Sequence, residues 1–276
     1  MRSLFRSFVG PVLFGAYCCL LFACPTASFE ICGKTAVGST ALVSNASFAL
    51  HVAPSECDVK CQEVLAGIHS YRLSMNSRHY HSAVARFIDS TQRVPPNGVI
   101  VEIGTCMGGN AIGMARITKH RDVSVIAVDP FLADYDSNDG TSVLYQKLSK
   151  TYGTQPHEFA KLWSDAMTWD INHSLGLCNY GLINELSTTA ARFFKDGSVD
   201  FLFVDGLHTY DGVMNDLISW YPKIKSGGVI MFNDYGCRSM KCAFEGVTRA
   251  ADTFLKSKGL SIKKVLTGNN GWTVKA

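Results

Sequence analysis

The sequence Val99-Ile-Val-Glu102-Ile-Gly104-Thr-Cys106-Met-Gly108-Gly109 joins an apolar, β-rich run to a turn with spaced glycines. The run has the length and composition of a buried strand. The glycines permit a tight turn and a close approach of backbone, and the residues that follow them have the pattern of a helix. A strand that passes through such a turn into a helix is the repeating unit of a sheet covered by helices. This stretch therefore predicts an α/β fold.

The same alternation continues on the carboxyl-terminal side of this stretch. Candidate strands are 99–103, 123–128, 180–183, 199–205, 228–232, 261–266 and 272–274, and helices begin near Gly109, Ser142, Thr188, Thr209 and Met240. Alternating strands and helices predict a Rossmann-like, seven-stranded, mostly parallel sheet with helices on both faces. The turn sequence Gly268-Asn-Asn-Gly271 favours a hairpin, so the last strand is expected to run antiparallel.

The amino-terminal side of the stretch divides into three parts. Residues 56–95 are expected to form helices, because apolar residues recur near helical spacing until Pro95-Pro96-Asn97-Gly98 ends the pattern. Residues 29–55 are expected to be a flexible segment. Residues 1–28 are expected to be a leader. The catalytic domain is therefore predicted to span 56–276, with its core at 99–276.

Residues 1–28 have the charged, apolar and small-residue order of a secretory signal peptide. Two arginines precede an apolar run at 8–23, and the small residues at 26–28 suit a cut before Phe29. A bilayer needs about 20 apolar residues, so no stable membrane span is expected. Secretion is the first prediction. A plastid location through a bipartite leader, a tether through an uncleaved leader and a lipoprotein cleavage box at 21–24 are the alternatives.

The charge composition indicates which classes of binding partner to expect. The 276 residues include 26 basic and 23 acidic side chains, a net charge of +3, and two of the basic residues lie in the leader. So small and evenly spread a charge does not favour nucleic acid as a partner. Outside the leader, the spacing of Cys57 with Cys61 and of Cys237 with Cys242 would allow two short disulfide loops in an oxidising compartment.

The glycine turn favours a cofactor without phosphates. In a dinucleotide fingerprint Cys106 would stand where a pyrophosphate needs bare backbone, which weakens that interpretation. Glu102, two residues before Gly104, can face the ammonium of an amino-acid moiety or order the loop. Asp129 ends the second strand and is placed to accept both hydroxyls of a ribose, with a helix cap as the alternative. Together these positions suit a nucleoside that carries an amino acid.

Polar side chains also follow the fourth and fifth predicted strands. Asp205, Asn233 and Asp234 are hard oxygen donors of the kind that Mg²⁺ or a similar divalent ion prefers. Because the carboxyl ends of parallel strands meet at one edge, a shared cation would relieve the crowding of like charges there. Helix capping is the alternative role for these acids. His208 could take a proton from a hydroxyl at the same edge, with a structural role as the alternative.

These motifs resemble those of class I S-adenosylmethionine-dependent methyltransferases, within the branch of macrolide-sugar and rhamnosyl O-methyltransferases and cephalosporin-hydroxylase-like proteins. The resemblance rests on Glu102-Ile-Gly104-Thr-Cys-Met-Gly108, Val128-Asp129, Asp205-Gly-Leu-His208-Thr-Tyr210 and Gly227-Gly228-Val-Ile-Met-Phe-Asn233-Asp234. It implies S-adenosyl-L-methionine and a divalent metal as cofactors. The implied cofactor-binding residues are Glu102, Gly104, Thr105, Cys106, Gly108, Asp129 and Ser187, the implied metal ligands are Asp205, Asn233 and Asp234, and the implied catalytic residues are His208, as base, and Asp205.

The sequence departs from this family at two places. Many relatives carry an acid where Asn233 stands, and the third strand here ends in 182–187 without the usual Gly-Asp, which leaves Ser187 as the candidate for the adenine contact.

The expected activity is methyl transfer to a hydroxyl of a sugar or another small polyhydroxylated or phenolic acceptor. A metal-dependent hydroxylase or hydrolase on the same fold and a non-catalytic glycan-binding module are the alternatives. Residues 131–175, rich in tyrosine and tryptophan, are expected to form a lid or acceptor wall, with a helical insertion in the core as the alternative.

Overall fold

The computed structural model describes residues 30–31, 34–35, 57–76, 82–136, 140–173, 175–236, 244–264 and 269–276. The expected leader, the Cys237 and Cys242 pair and Gly268 of the expected hairpin turn lie outside these residues. The helices are α1 (Val59–Asn76), α2 (Ser82–Thr91), α3 (Gly109–Thr118), α4 (Gly140–Thr151), α5 (Pro156–His173), α6 (Ser187–Ala190), α7 (Tyr210–Trp220) and α8 (Glu245–Ser257). The strands are β1 (Glu30–Ile31), β2 (Lys34–Thr35), β3 (Val99–Ile103), β4 (Ser124–Val128), β5 (Tyr180–Ile183), β6 (Val199–Val204), β7 (Ile224–Phe232), β8 (Lys263–Lys264) and β9 (Gly271–Val274).

The main sheet has the strand order β5-β4-β3-β6-β7-β9-β8. Its first five strands are parallel, whereas β9 pairs antiparallel with both β7 and β8. The Rossmann-like, mostly parallel fold with an antiparallel last strand is therefore confirmed. Because β3 lies between β4 and β6, and β6 lies beside β7, the loops that follow these four strands converge at one edge of the sheet.

Alternate side chains of the central strands enter two separate cores, as the pleat of a strand requires. Ile100 packs with α1, α2, α3 and α5 on one face. Its neighbour Val101 packs with α7 and α8 on the other face, where Trp220 and Phe254 are buried. The long apolar strands are thus covered on both sides, which is the environment that parallel strands need.

Two helix starts have side-chain caps that the sequence provides. At α1, the Asp58 carboxylate accepts the backbone N–H of Cys61 at 2.8 Å, and Cys61 forms a disulfide with Cys57. At α7, the Thr209 hydroxyl accepts the N–H of Gly212 at 3.1 Å. Such caps satisfy backbone donors that a first helical turn leaves without partners.

Most of the described part of 131–175 forms a helical insertion in the core. Helices α4 and α5 fill most of this segment, and the aromatic side chains of Tyr145, Phe159 and Trp163 pack against one another inside the core. Tyr135 differs, because it is 49% exposed and lines the cavity described below.

Some expected bounds differ from those observed. The helix expected from Met240 begins at Glu245 in the described residues, and β7 begins at Ile224, four residues before the expected start. The two-residue strands β1 and β2 pair within the segment expected to be flexible. No helix in the described part of the chain is long and apolar enough to cross a membrane.

Candidate functional site

A cavity of about 190 Å³ opens at the edge where the loops after β3, β4, β5 and β6 converge. The first turns of α7 close one side of it. Its lining includes four of the seven predicted cofactor residues and both predicted catalytic residues, together with apolar and acidic side chains that the sequence did not single out. The residues that line it include Gly104, Cys106, Asp129, Leu132, Tyr135, Leu186, Ser187, Thr188, Asp205, Gly206, Leu207, His208 and Asp216.

Gly104 brings the loops after β3 and β6 into backbone contact. Its φ is +79°, and a Cβ at this position would overlap the carbonyl oxygen of Asp205. Its N–H donates to the carbonyl of Val128 at 2.8 Å, so the β4 loop is joined to the same point. Only glycine meets both the conformation and the spacing.

Gly108, which lies outside the cavity lining, is a second position where the backbone conformation and the close packing favour glycine. It precedes α3 with a φ of +74°, and a Cβ there would lie 2.9 Å from the Tyr180 hydroxyl oxygen and 2.9 Å from Cε of Met167. The glycine therefore lets the first turn of α3 pack closely on β5 and α5.

The Asp129 carboxylate holds the glycine loop in place. Oδ2 accepts the backbone N–H of Thr105 at 3.0 Å and that of Cys106 at 2.8 Å, and Oδ1 accepts the N–H of Phe131 at 2.9 Å. Asp129 also lines the cavity, so the structure leaves the predicted ribose contact geometrically accessible. Its interactions with the loop were not foreseen, because they depend on how β3 and β4 lie side by side.

Glu102 lies beneath the loop rather than in the cavity lining. It is 1% exposed, and the Thr105 hydroxyl donates to its Oε2 at 2.6 Å. Burial raises the pKa of Glu102 to about 8, partly offset by the Thr105 hydrogen bond, with further increases from Asp205 and Asp129. Of the two roles expected for Glu102, ordering of the loop is the one that these contacts support. Thr105 is buried with it.

Asp205, His208 and Asp234 form a compact cluster at the β6 end of the cavity. Their ligand atoms all lie within 4.8 Å of one another. His208 Nε2 is 3.4 Å from Asp234 Oδ2 and 3.7 Å from Asp205 Oδ1. Burial raises the pKa of the Asp205 carboxyl, although its contacts with His208 oppose this. The strand order produces this cluster, since β6 and β7 are neighbours.

Asn233 joins the two carboxylates of the cluster. Its Nδ2 donates to Asp205 Oδ1 at 2.8 Å and to Asp234 Oδ2 at 2.9 Å. With the amide in this orientation, the nitrogen rather than the oxygen faces the cluster. Rotation of the amide by half a turn would present the oxygen in its place.

The ring of His208 is held by the segment that enters α8. Its centroid lies 4.9 Å from that of Phe244, and a Cβ at Gly246 would lie 2.6 Å from the His208 carbonyl oxygen. Burial by itself would lower the pKa of His208, but the polar contacts and attraction from Asp205 and Asp234 outweigh it and raise the pKa to about 10. Nε2 is buried and makes no hydrogen bond of normal geometry with the described residues.

Ser187 and Asp216 form a hydrogen-bonded pair at the opposite end of the cavity. The Ser187 hydroxyl donates to Asp216 Oδ1, and Trp220 Nε1 donates to Ser187 Oγ at 3.0 Å. Asp216 is 6% exposed, and burial raises its pKa to about 7. Asp216 was not predicted as a site residue, since an acid in the middle of a helix usually faces solvent. Its helical spacing to the buried Val213, Leu217 and Trp220 was the available signal.

Comparison with known proteins identifies the central part of the chain. Residues 101–235 match a family model described as "Methyltransferase domain". This span contains the glycine loop, Asp129, the Ser187 and Asp216 pair and the whole of the Asp205, His208 and Asp234 cluster.

Matches to individual proteins are shorter or more distant. "Uncharacterized protein y4gI" of Sinorhizobium fredii (strain NBRC 101917 / NGR234) is 40% identical over 53 residues, which are 19% of this chain and 6% of that protein. "Uncharacterized protein R132" of Acanthamoeba polyphaga mimivirus is 46% identical over 37 residues, 13% of this chain and 17% of that protein. The chain thus matches only a small part of the length of these curated relatives. The solved structure of "the O-methyltransferase NovP" is 18% identical and covers 74% of this chain and 80% of that chain, with a TM-score of 0.44.

Proposed function

Because residues 101–235 of this chain match a family model described as a methyltransferase domain, we propose that the protein transfers the methyl group of S-adenosylmethionine to a hydroxyl oxygen of a small acceptor. The acceptor we propose is a sugar or another polyhydroxylated or phenolic molecule. The observation that carries this proposal is the position of the Asp205, His208 and Asp234 cluster at one end of the cavity that the Gly104 loop lines.

The charge of the cavity supports S-adenosylmethionine as the cofactor. Its titratable lining consists of three aspartates together with a histidine, a tyrosine and a cysteine, namely Asp129, Asp205, Asp216, His208, Tyr135 and Cys106, and neither lysine nor arginine is among the described lining residues. S-adenosylmethionine carries a sulfonium and an ammonium, which an acidic cavity attracts. A dinucleotide would instead bring phosphates close to these carboxylates, which like-charge repulsion disfavours.

The cluster has the donor set for a divalent cation. The carboxylates of Asp205 and Asp234 lie close enough together to share an ion, and beside them His208 Nε2 is buried without a hydrogen bond of normal geometry from the described residues. Asn233 could add an oxygen ligand after rotation of its amide. A cation bound there would neutralise the carboxylates and polarise an acceptor hydroxyl. We therefore propose Mg²⁺ or a similar ion, with Asp205 and Asp234 as the principal ligands.

His208 is proposed as the group that takes the proton of the acceptor hydroxyl. With a pKa near 10 in its present surroundings, the imidazole is protonated at neutral pH and cannot serve as a base. When the carboxylates are engaged by a cation, their attraction for the imidazolium falls, so the pKa of His208 should fall towards the range of a base. Phe244 keeps the ring in position during this change.

The proposed transfer then needs few groups from the protein. The acceptor oxygen attacks the methyl carbon, the bond from this carbon to sulfur breaks, and the sulfonium becomes a neutral thioether. The hydroxyl proton passes to His208. Gly104 and Asp129 hold the loop against which the cofactor lies, so alignment of the two reactants contributes most of the rate.

A labelled-methyl assay tests this proposal. The full chain is incubated with S-adenosylmethionine, Mg²⁺ and pools of sugar and catechol acceptors. We expect Asp234→Ala to abolish transfer while S-adenosylhomocysteine binding by calorimetry is retained, because Asp234 belongs to the cluster and not to the cavity lining. The exposed Asp211→Asn on α7 is the control and should stay active.

Three results would contradict parts of the proposal. Full activity in excess chelator would contradict the proposed role of the metal. Unchanged turnover in His208→Ala would contradict the proposed role of His208 as the base. Failure to bind S-adenosylhomocysteine would favour a metal-dependent hydrolase or hydroxylase on the same fold.

We also propose that the protein is exported to an oxidising compartment. The Cys57 to Cys61 disulfide and the disulfide at Cys178 support this, since such bonds persist outside the reducing cytosol. Mass spectrometry of the protein recovered from cells tests the proposal, with a mature chain that starts at Phe29 as the expected result. A full-length reduced chain retained in the cytosol would contradict it.

A further inference from the structure

The cavity has two chemically different ends. Asp205 and His208 mark one end, after β6, and Leu186, Ser187 and Thr188 mark the other, after β5. In the sheet order, β4 and β3 separate these ends. If the methyl group is to reach the acceptor at the metal cluster, the cofactor's sulfur lies towards the β6 end. The far end of the cavity then receives the purine, with Asp129 of the β4 loop between the two.

The purine end contains a carboxyl group with a fixed orientation. Ser187 has a single hydroxyl proton and donates it to Asp216 Oδ1, while Trp220 Nε1 donates to the Ser187 oxygen. Asp216 Oδ2 lies 3.4 Å from the Cβ position at Gly206, which is another residue of the cavity lining. One carboxyl oxygen is thus engaged by Ser187, and the other lies beside Gly206.

We propose that Asp216 determines the purine specificity of the site by accepting a hydrogen bond from the exocyclic amino group of adenine. This inference rests on the proposed use of S-adenosylmethionine. The apolar side chains of Leu132, Leu186 and Leu207 line the same cavity and can cover the faces of the ring. Asp216 is supplied by α7, so it can provide the acid that the loop after β5 lacks.

Burial of Asp216 agrees with this role. Desolvation is the main cause of its raised pKa, and the Ser187 hydrogen bond is the only opposing contact among the described residues. A desolvated carboxyl with one donor gains from a second donor. The adenine amino group is such a donor, whereas the 6-oxo group of hypoxanthine is an acceptor and would face the carboxyl oxygen unfavourably.

The variant Asp216→Asn should weaken this preference. The Ser187 oxygen can accept from an amide NH₂ as well as from Trp220, and its hydroxyl can donate to an amide oxygen, so the asparagine can face Ser187 with either group. The cavity then meets either the NH₂ group or the oxygen of the amide. The first suits a 6-oxo purine and the second a 6-amino purine, whereas the ionised wild-type carboxylate can only accept.

Calorimetry with S-adenosylhomocysteine and S-inosylhomocysteine measures the effect. We expect the wild type to bind the adenosyl compound at least about tenfold more tightly, and Asp216→Asn to shift the ratio of the two affinities by about tenfold or more towards the inosyl compound. Asp211→Asn changes an exposed acid on the same helix and should keep the wild-type ratio.

Each outcome decides the assignment. An unchanged ratio in a folded Asp216→Asn variant that still binds S-adenosylhomocysteine would overturn it. Equal affinities of the wild type for the two compounds would overturn it even if the variant failed to fold. If the wild type bound neither compound, the proposed cofactor would be wrong, and the role of Asp216 would fall with it.

Discussion

Gly104 and Asp205 are in backbone contact, and the loops after β3 and β6 lie so close together that only a glycine fits at position 104. A Cβ at Gly104 would overlap the Asp205 carbonyl oxygen, and the Asp205 N–H donates to the carbonyl of Ile103 at 2.9 Å. The contact joins the proposed cofactor loop to the proposed metal ligand. A change at one position should therefore affect both.

Gly104→Ala should disrupt the site and the fold together. Gly227→Ala is a matched control, because Gly227 has a φ of +80° and no atom within 4 Å of its Cβ position. In both variants, alanine at positive φ lowers the free energy of unfolding by about 1 kcal/mol, but only Gly104→Ala also forces two loops apart. Chemical denaturation should show a loss for Gly104→Ala at least about 2 kcal/mol larger than for Gly227→Ala. Equal losses would contradict the close approach.

Asp129→Asn should weaken the glycine loop without a change in side-chain size. The carboxylate accepts three backbone N–H groups, from Thr105, Cys106 and Phe131. The asparagine NH₂ must face at least one of these donors, and a buried donor without a partner costs about 1–3 kcal/mol. We expect that loss in unfolding free energy and weaker binding of S-adenosylhomocysteine. Asp122→Asn, at an exposed position before the same strand, should change neither quantity.

Glu102→Gln should change how stability depends on pH. The pKa of Glu102 is about 8 in the folded chain and 4.5 as the unperturbed value, so between these pH values the folded chain holds a proton that the unfolded chain releases. Stability from this group is therefore complete below pH 4.5 and is lost as pH rises through about 8. A glutamine at this position does not ionise, so this loss of stability disappears. Its side-chain oxygen can still accept the hydrogen bond from the Thr105 hydroxyl.

Denaturation curves measured from pH 4 to pH 9 test this prediction. The variant should gain stability relative to the wild type as pH rises, with a difference on the order of a few kcal/mol at the alkaline end. Glu63→Gln, at an exposed position, is the control, and its stability should depend on pH in the same way as that of the wild type. Parallel curves for Glu102→Gln would show that Glu102 is ionised in the folded chain.

Cys57→Ala should lower stability modestly. The disulfide with Cys61 closes a short loop, and Cys61 is 4% exposed in the core, so loss of the crosslink should cost about 2 kcal/mol through the unfolded chain. Val59→Ala, at a 77% exposed position in the same turn, is the control and should change stability little. Denaturation under oxidising conditions measures both, and equal stability of Cys57→Ala and the wild type would contradict this.

The strands could be predicted well because their sequences are apolar and rich in β-branched residues. The expected bounds 99–103, 180–183 and 272–274 agree with β3, β5 and β9 to within one residue. The short β8 and the start of α8 were less well placed, since little in their local sequence opposes a shift of a few residues. The aromatic residues of 131–175 carried no such signal, because a tyrosine in a helix has the same pattern whether it lines a cavity or fills a core.

The candidate site could be predicted in part. Polar residues directly after strands, such as Asp205 and Asp234, are identifiable because parallel strands place their carboxyl ends at one edge. Asp216 could not be identified in this way, since it lies inside α7 and reaches the cavity through the packing of that helix. The orientation of Asn233 and the loop contacts of Asp129 likewise depend on neighbours that are distant in sequence.

The sequence by itself determined the class of fold, the glycine positions and the groups available for chemistry, because these depend on local propensity and on residues next to one another along the chain. The tertiary structure alone decided which groups meet. Strand order brought Asp205 and Asp234 together with His208, burial shifted the pKa values of Glu102 and Asp216, and helix packing turned Asp216 towards Ser187. Charge, desolvation and hydrogen bonding act over a few ångströms in space, and only the folded chain sets those distances.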